Sequence, residues 1–239
     1  MSKNLGFEFS ALCGVSYDCG DIRFNPDGTA LLSPVGHRLT RFGLSSGGTD
    51  SSASTYGFET RAQIRRVAVT KGCLAVIDDH GRGLLSNTET GAVLYRFNLK
   101  GEASKIEFSP DGSILAIAIG RKVQLWRRPI PMTKSVSALV LEYEYSVHSL
   151  DITSMNWAAS GTALLTGSAD CTAHLQHIRI SNSEITGEDA VVEPWEKSVS
   201  LVGHKTSIVG CYMLHRTLED PCIITVAQDG AVFEWRFTE

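Results

Sequence analysis

One block of this sequence is written several times over, and a self-similar chain has few folds open to it. The clearest copy begins Lys105-Ile106-Glu107-Phe108 and continues Ser109-Pro110-Asp111-Gly112, Ile114 to Ile119, and Arg121-Lys122-Val123-Gln124-Leu125-Trp126. Its first piece alternates, which places Ile106 and Phe108 on one face of a strand. Pro-Asp-Gly then reverses the chain, because proline presets φ and glycine tolerates the left-handed region. The run Ile114 to Ile119 is apolar on both faces, as a strand sandwiched between two sheets must be. The last piece alternates again and ends on Trp126.

Copies lie near 21–42, 64–97, 103–126, 148–177 and 203–235. An early one carries Phe24-Asn25-Pro26-Asp27-Gly28, and a weaker one carries Val67-Ala68-Val69, Cys73 to Ile77 and Gly83-Leu84-Leu85. With insertions allowed, the spacing is that of propeller blades, roughly 40–45 residues. The expected architecture is all-β: a single domain over 1–239, a β-propeller with about five recognisable blades. In the final copy, Gly203-His204 is followed by Gln228-Asp229-Gly230 and Trp235, which resembles the Gly-His to Trp-Asp signature of WD repeats. That resemblance implies a hydrogen-bonded set inside the blade, here His204, Thr225, Asp229 and Trp235. A buried His-Asp pair must satisfy its polar atoms internally or lose about 1–3 kcal/mol per orphaned group. These residues therefore read as structural, and His204→Ala is expected to destabilise by that amount.

Other copies keep less of the signature. The fourth has His148, Thr166 and Asp170 but Gln176 in place of tryptophan; the third has Trp126 but Gly120 in place of aspartate. The first has Gly36 and Phe42, and the second His80 and Ser86, so only the last copy looks close to complete. WD propellers close with about seven or eight blades. The ring expected here is incomplete, or is completed by a partner, a second copy or a longer chain, because open strand edges invite pairing.

The N-terminal segment narrows the reading. Phe9 to Asp21, then Leu31-Leu32-Ser33-Pro34-Val35-Gly36-His37-Arg38-Leu39, Asp151-Ile152-Thr153-Ser154 and Asp229 to Thr238 together resemble the opening of the periodic tryptophan protein 2 family. The resemblance covers nearly the whole chain apart from its insertions, and it implies a first propeller of a tandem-propeller scaffold. It further implies a nucleolar location within the small-subunit processome, alongside other WD-repeat proteins. A small nucleolar ribonucleoprotein and pre-rRNA would be neighbours, and pre-rRNA processing would be supported without being catalysed. No cofactor, membrane or small-molecule substrate is implied. The alternative is a WD-repeat adaptor of another pathway, in ubiquitin-ligase substrate recognition or trafficking.

Charge bears on the RNA question. Lys and Arg number 22 against 26 Asp and Glu, a net charge of -4, unlike a freestanding basic nucleic-acid binder. Local basic clusters remain: Arg61, Arg65 and Arg66, and Arg121, Lys122, Arg127 and Arg128. Such runs are ordinarily solvated faces; within a ribonucleoprotein they become candidate phosphate contacts, with Arg127 and Arg128 the pair whose loss should weaken RNA association. Two insertions read as flexible: 45–55, rich in Ser and Gly and open to phosphorylation, and 181–197, acidic, with Trp195 a candidate partner anchor.

Six cysteines are scattered without a C-x-x-C pair and read as packed thiols. No N-terminal apolar run suggests a secretory signal, and no stretch approaches the roughly 20 apolar residues of a spanning helix. Cys171, His174 and His177 invite a metal reading, but residues three apart on a strand face opposite ways. No G-x-S-x-G, P-loop or H-E-x-x-H occurs, and a hydrolase assembled from distant blades is the third reading.

Overall fold

A computed structural model describes residues 21–44, 53–128, 139–181, 191–217 and 220–236. Among them are nineteen strands and no helix, arranged in five antiparallel sheets whose strands follow chain order. Blade one holds β1 (Arg23–Phe24), β2 (Ala30–Val35), β3 (Arg38–Gly43) and β4 (Ala53–Thr55). Blade two holds β5 (Ile64–Thr70), β6 (Cys73–Asp78), β7 (Arg82–Ser86) and β8 (Val93–Asn98). Blade three holds β9 (Ala103–Phe108), β10 (Ile114–Ile119), β11 (Lys122–Arg127) and β12 (Val140–Ser146). Blade four holds β13 (Ile152–Trp157), β14 (Ala163–Ser168), β15 (Thr172–Ser181) and β16 (Val191–Val202). Blade five has three strands among the described residues: β17 (Ile208–Thr217), β18 (Asp220–Ala227) and β19 (Val232–Arg236).

The hairpins follow from turn chemistry. Between β9 and β10, Gly112 sits at φ 72 and donates its N–H to the Ser109 carbonyl at 2.8 Å. The Asp111 carboxylate accepts the Ser113 hydroxyl at 2.6 Å, closing the turn on its own side chains. Between the second and third strands, blades two and five put a glycine in the left-handed region, Gly81 at φ 73 and Gly230 at φ 86. Blade four puts Cys171 there at φ 68, a conformation that L-residues adopt at a cost of roughly 1–2 kcal/mol.

Packing between blades is read from strand parity. Leu74 and Val76 of β6 join Leu32 and Leu39 of blade one in one buried cluster. Cys73, Ala75 and Ile77 of the same strand join Ile106, Leu115 and Ile117 of blade three. Likewise Ala116 and Ala118 of β10 meet Ile152 and Leu164 of blade four, while Ala163 and Leu165 of β14 meet Ile208 and Ile223 of blade five. A strand apolar on both faces is thus one covered by a neighbouring sheet on either side. The first strands of successive blades also face one another: β5 contacts β1 and β9, and β13 contacts β9 and β17. Sheets stacked in this manner form part of a WD β-propeller. The two end blades keep apolar side chains in solvent, with Phe24 62% exposed and Val232 60% exposed.

Both insertions need correction. The loop expected over 45–55 gives its last three residues to β4, where Thr55 pairs with Thr40; residues 45–52 lie outside the described set. Within 181–197, Val191 onward belongs to β16, with Glu193 opposite Arg179 and Pro194 opposite Ile178. The acidic composition hid a rim strand: backbone hydrogen bonds make it, and an edge strand tolerates proline and charge. Residues 182–190, and the side chain of Trp195, lie outside the described set.

Candidate functional site

The polar interior is best built in blade four. His148 is buried and stands between β14 and the β14–β15 turn. Its Nε2 lies 2.9 Å from the Thr166 hydroxyl, and its Nδ1 lies 3.2 Å from the Asp170 carboxylate. A carboxylate only accepts, so Nδ1 carries the proton and Nε2 accepts from Thr166. Asp170 also accepts the Ser149 N–H at 2.9 Å, the Thr172 hydroxyl at 2.6 Å and the Thr172 N–H at 3.0 Å. Burial raises its pKa, but these donors outweigh burial and hold it at about 2. Burial also pushes the His148 pKa below its usual value, against the pull of Asp170. A neutral imidazole between a carboxylate and a hydroxyl resembles a catalytic triad in composition. Here the carboxylate is spent on the turn backbone, and the hydroxyl is buried within the blade.

Blade five inverts the sequence expectation. His204 Nε2 lies 2.7 Å from Thr225 Oγ1, and Trp235 Nε1 donates to the same oxygen at 2.8 Å. Phe233 stacks on the imidazole, with ring centroids 4.1 Å apart. Asp229 does not join this set. It is exposed, its carboxylate accepts the Ala231 N–H at 3.0 Å, and His204 Nδ1 is buried with no partner among the described residues. The copy with the fuller signature therefore has the less complete network, because Asp229 serves its own turn.

The basic residues do not form the two patches that their sequence positions suggest. Arg66 reaches across to blade three, donating from Nε to the Ser104 carbonyl at 2.6 Å. Lys122 pairs with Glu144 at 2.7 Å and Arg127 with Glu142 at 3.0 Å, both partners on β12. Lys122 and Arg127 also sit at opposite ends of β11, which separates Arg121 from Arg128. Arg128 donates to the Lys71 carbonyl at 3.4 Å. Arg65 contributes its carbonyl to Asp21 N–H, and Arg121 its carbonyl to the Ser146 hydroxyl. Arg61 alone of these lines a cavity of about 590 Å³, and there it meets Arg82 and Arg96, which the sequence reading missed. Those two are far apart in sequence; the β7–β8 register brings them to one face.

Cys171, His174 and His177 are not gathered around one point. Cys171 forms the turn, and His174 packs edge-on against His148 at 6.1 Å. Among the described residues, Asp78, Asp79 and His80 do bring ligand-type atoms within 4.8 Å of one another. They are already engaged: Asp78 Oδ1 accepts the N–H groups of His80 and Arg82, and His80 Nδ1 lies 2.6 Å from Asp79.

The WD domain, G-beta repeat family matches residues 139–175, which run from β12 through β13 and β14 into β15 and include His148, Thr166 and Asp170. Over 97% of its length the chain is 33% identical to the periodic tryptophan protein 2 homologue of Schizosaccharomyces pombe, of which it covers 25%. It is 33% identical to periodic tryptophan protein 2 of Saccharomyces cerevisiae over 98% of the chain and 24% of that protein. It is 29% identical to the Mus musculus homologue over 96% of the chain and 23% of that protein. The chain belongs to the periodic tryptophan protein 2 family.

It spans about a quarter of the length of the curated relatives it matches. As a WD-repeat member of the periodic tryptophan protein 2 family, it uses histidine as an internal strut, and the two struts differ in strength. His148→Ala is expected to lower stability by about 2 kcal/mol, since it strips a buried partner from both Asp170 and Thr166. His204→Ala is expected to cost about 1 kcal/mol, since it also removes an unpaired buried donor and leaves Trp235 bonded to Thr225. Thermal midpoints of the two variants decide this; a larger loss for His204→Ala would contradict the geometry.

Proposed function

We propose that this chain is a non-catalytic scaffold segment in ribosome biogenesis, acting within a nucleolar multi-propeller assembly that supports small-subunit pre-rRNA processing. Its family membership over nearly the whole chain is the observation that carries the reading. The blade chemistry agrees with it. The His148–Thr166–Asp170 network braces a turn, and exposed apolar side chains such as Phe24 and Val232 are available to other chains. Its partners on this reading are other WD-repeat proteins of the processome, a small nucleolar ribonucleoprotein and pre-rRNA.

Affinity purification of the tagged protein, with mass spectrometry and RNA sequencing of the eluate, tests the proposal. The expected result is recovery of several WD-repeat proteins with pre-rRNA and a small nucleolar RNA, and nucleolar fluorescence of the same tag. Recovery of a cullin or a vesicle-coat complex without pre-rRNA would replace it with an adaptor role in another pathway.

A further inference from the structure

The cleft formed by the β4–β5 connection and by β7 and β8 of blade two gathers three arginines against two carboxylates, Glu59 and Asp78. Arg82 lies opposite Asn98, and Leu84 opposite Arg96, so the two arginines share one face of the β7–β8 pair. Arg61, on the connection from β4 to β5, lines the same cavity of about 590 Å³. All three side chains are exposed, and no acidic partner is found for any of them among the described residues. Glu59 also lines the cavity, but it is taken by Arg38. Like charges gathered on one face repel, and an external anion relieves that repulsion.

A second feature refines the anion. Asp78 lines the cavity and is 1% exposed. Its Oδ1 accepts the N–H groups of His80 and Arg82, while its Oδ2 is buried with no partner among the described residues. A bare phosphate meets attraction from the arginines and repulsion from this carboxylate. A phosphate with a hydroxyl beside it satisfies both, with its oxygens accepting from guanidinium and its hydroxyl donating to Oδ2. Ribose phosphate repeats that combination at every nucleotide, and DNA lacks the hydroxyl. The aromatic nearest the cleft cannot serve as a base platform, because the Phe97 ring lies against Gly83 and packs towards Trp126.

We infer that this cleft binds the sugar-phosphate backbone of single-stranded RNA without base readout, with Arg61, Arg82 and Arg96 on phosphate and Asp78 on the 2′-hydroxyl. The inference deepens the ribonucleoprotein reading above and rests on it for the kind of polyanion, yet it can be tested without it. Filter binding with the full chain would compare a short single-stranded RNA, DNA of the same sequence and a phosphoserine peptide. The double variant Arg82→Ala/Arg96→Ala should weaken RNA binding about tenfold and reduce the slope of log affinity against log salt by about one. Lys205→Ala, an exposed cation just ahead of β17 on blade five, should leave both unchanged. Asp78→Asn keeps an oxygen for the two turn N–H groups and should narrow the preference for RNA over DNA.

Unchanged affinity and slope in the double variant, with an unchanged melting curve, would overturn the inference. So would equal binding of RNA and DNA by the wild type, or arginine-dependent binding of the phosphopeptide alone. If purified RNA binds through these arginines while pre-rRNA is missing from the affinity purification, the cleft assignment stands and the processome reading fails.

Discussion

Replacing Glu107 with glutamine should remove a stability change of about 3 kcal/mol that the wild-type chain shows between mildly acid and mildly alkaline pH. Glu107 lies on β9, and its Oε2 is buried with no partner among the described residues. Burial raises its pKa from 4.5 to about 7, against the opposing pull of Arg23, Asn156 and the Trp157 N–H. Between those two values the folded protein holds a proton that the unfolded chain has released. The stabilisation is therefore complete below pH 4.5 and is lost as pH rises through 7. Burial also lowers the pKa of His148 and His174, so their contribution has the opposite sense: it is present above the ordinary histidine range and lost as pH falls. The difference between wild type and Glu107→Gln isolates the carboxyl. Urea unfolding of both proteins from pH 5 to pH 8 should show the variant gaining relative stability with rising pH. Parallel pH profiles would show that this carboxyl titrates alike in the folded and unfolded chain.

What made the fold readable was the coincidence of two signals in each copy. Strands β6, β10 and β14 are apolar at every position because a sheet covers each face, and each follows a turn marked by Gly. The fourth strands give no such signal. β8 and β12 alternate between half-buried and exposed residues, and β16 includes a stretch whose acidic composition reads as a loop. At the rim the backbone ladder makes the strand, and a side-chain pattern records burial only.

The polar residues were harder for a related reason. A signature gives residue types at fixed spacing, and both blade four and blade five satisfy it around histidine. Whether Asp170 or Asp229 reaches that histidine depends on the turn, where Asp170 bonds His148 and Asp229 bonds Ala231. The cleft arginines illustrate the converse. Charge clusters along the sequence were divided by β11 or paired with β12, whereas the residues that do converge come from β7, β8 and a separate connection. Sheet register, absent from any local window, decides which charges meet.

Gly81→Ala should be the most damaging small substitution in the described chain, lowering stability by roughly 3–5 kcal/mol. Gly81 closes the β6–β7 turn at φ 73 and is buried. A Cβ there would lie 2.3 Å from the carbonyl oxygen of Gly101 and 3.2 Å from its carbonyl carbon. Those are backbone atoms on the connection between blades two and three, so no side-chain rotation relieves the contact. Nor can the connection retreat freely. The Gly81 carbonyl holds the Leu99 N–H at 2.8 Å, and a Cβ on Gly101 would itself meet Ile119 of β10 at 2.8 Å. The turn, the connection and blade three thus form one close-packed sequence of contacts, and moving the first member disturbs the spacing of two blades. Gly230→Ala separates this effect from backbone strain. Gly230 has φ 86 at the equivalent turn of blade five, with no atom within 4 Å of its would-be Cβ. Only the left-handed penalty of roughly 1–2 kcal/mol is expected there. Chemical denaturation of both variants should therefore give a loss at Gly81 at least twice that at Gly230, and equal losses would mean that the inter-blade connection yields without resistance.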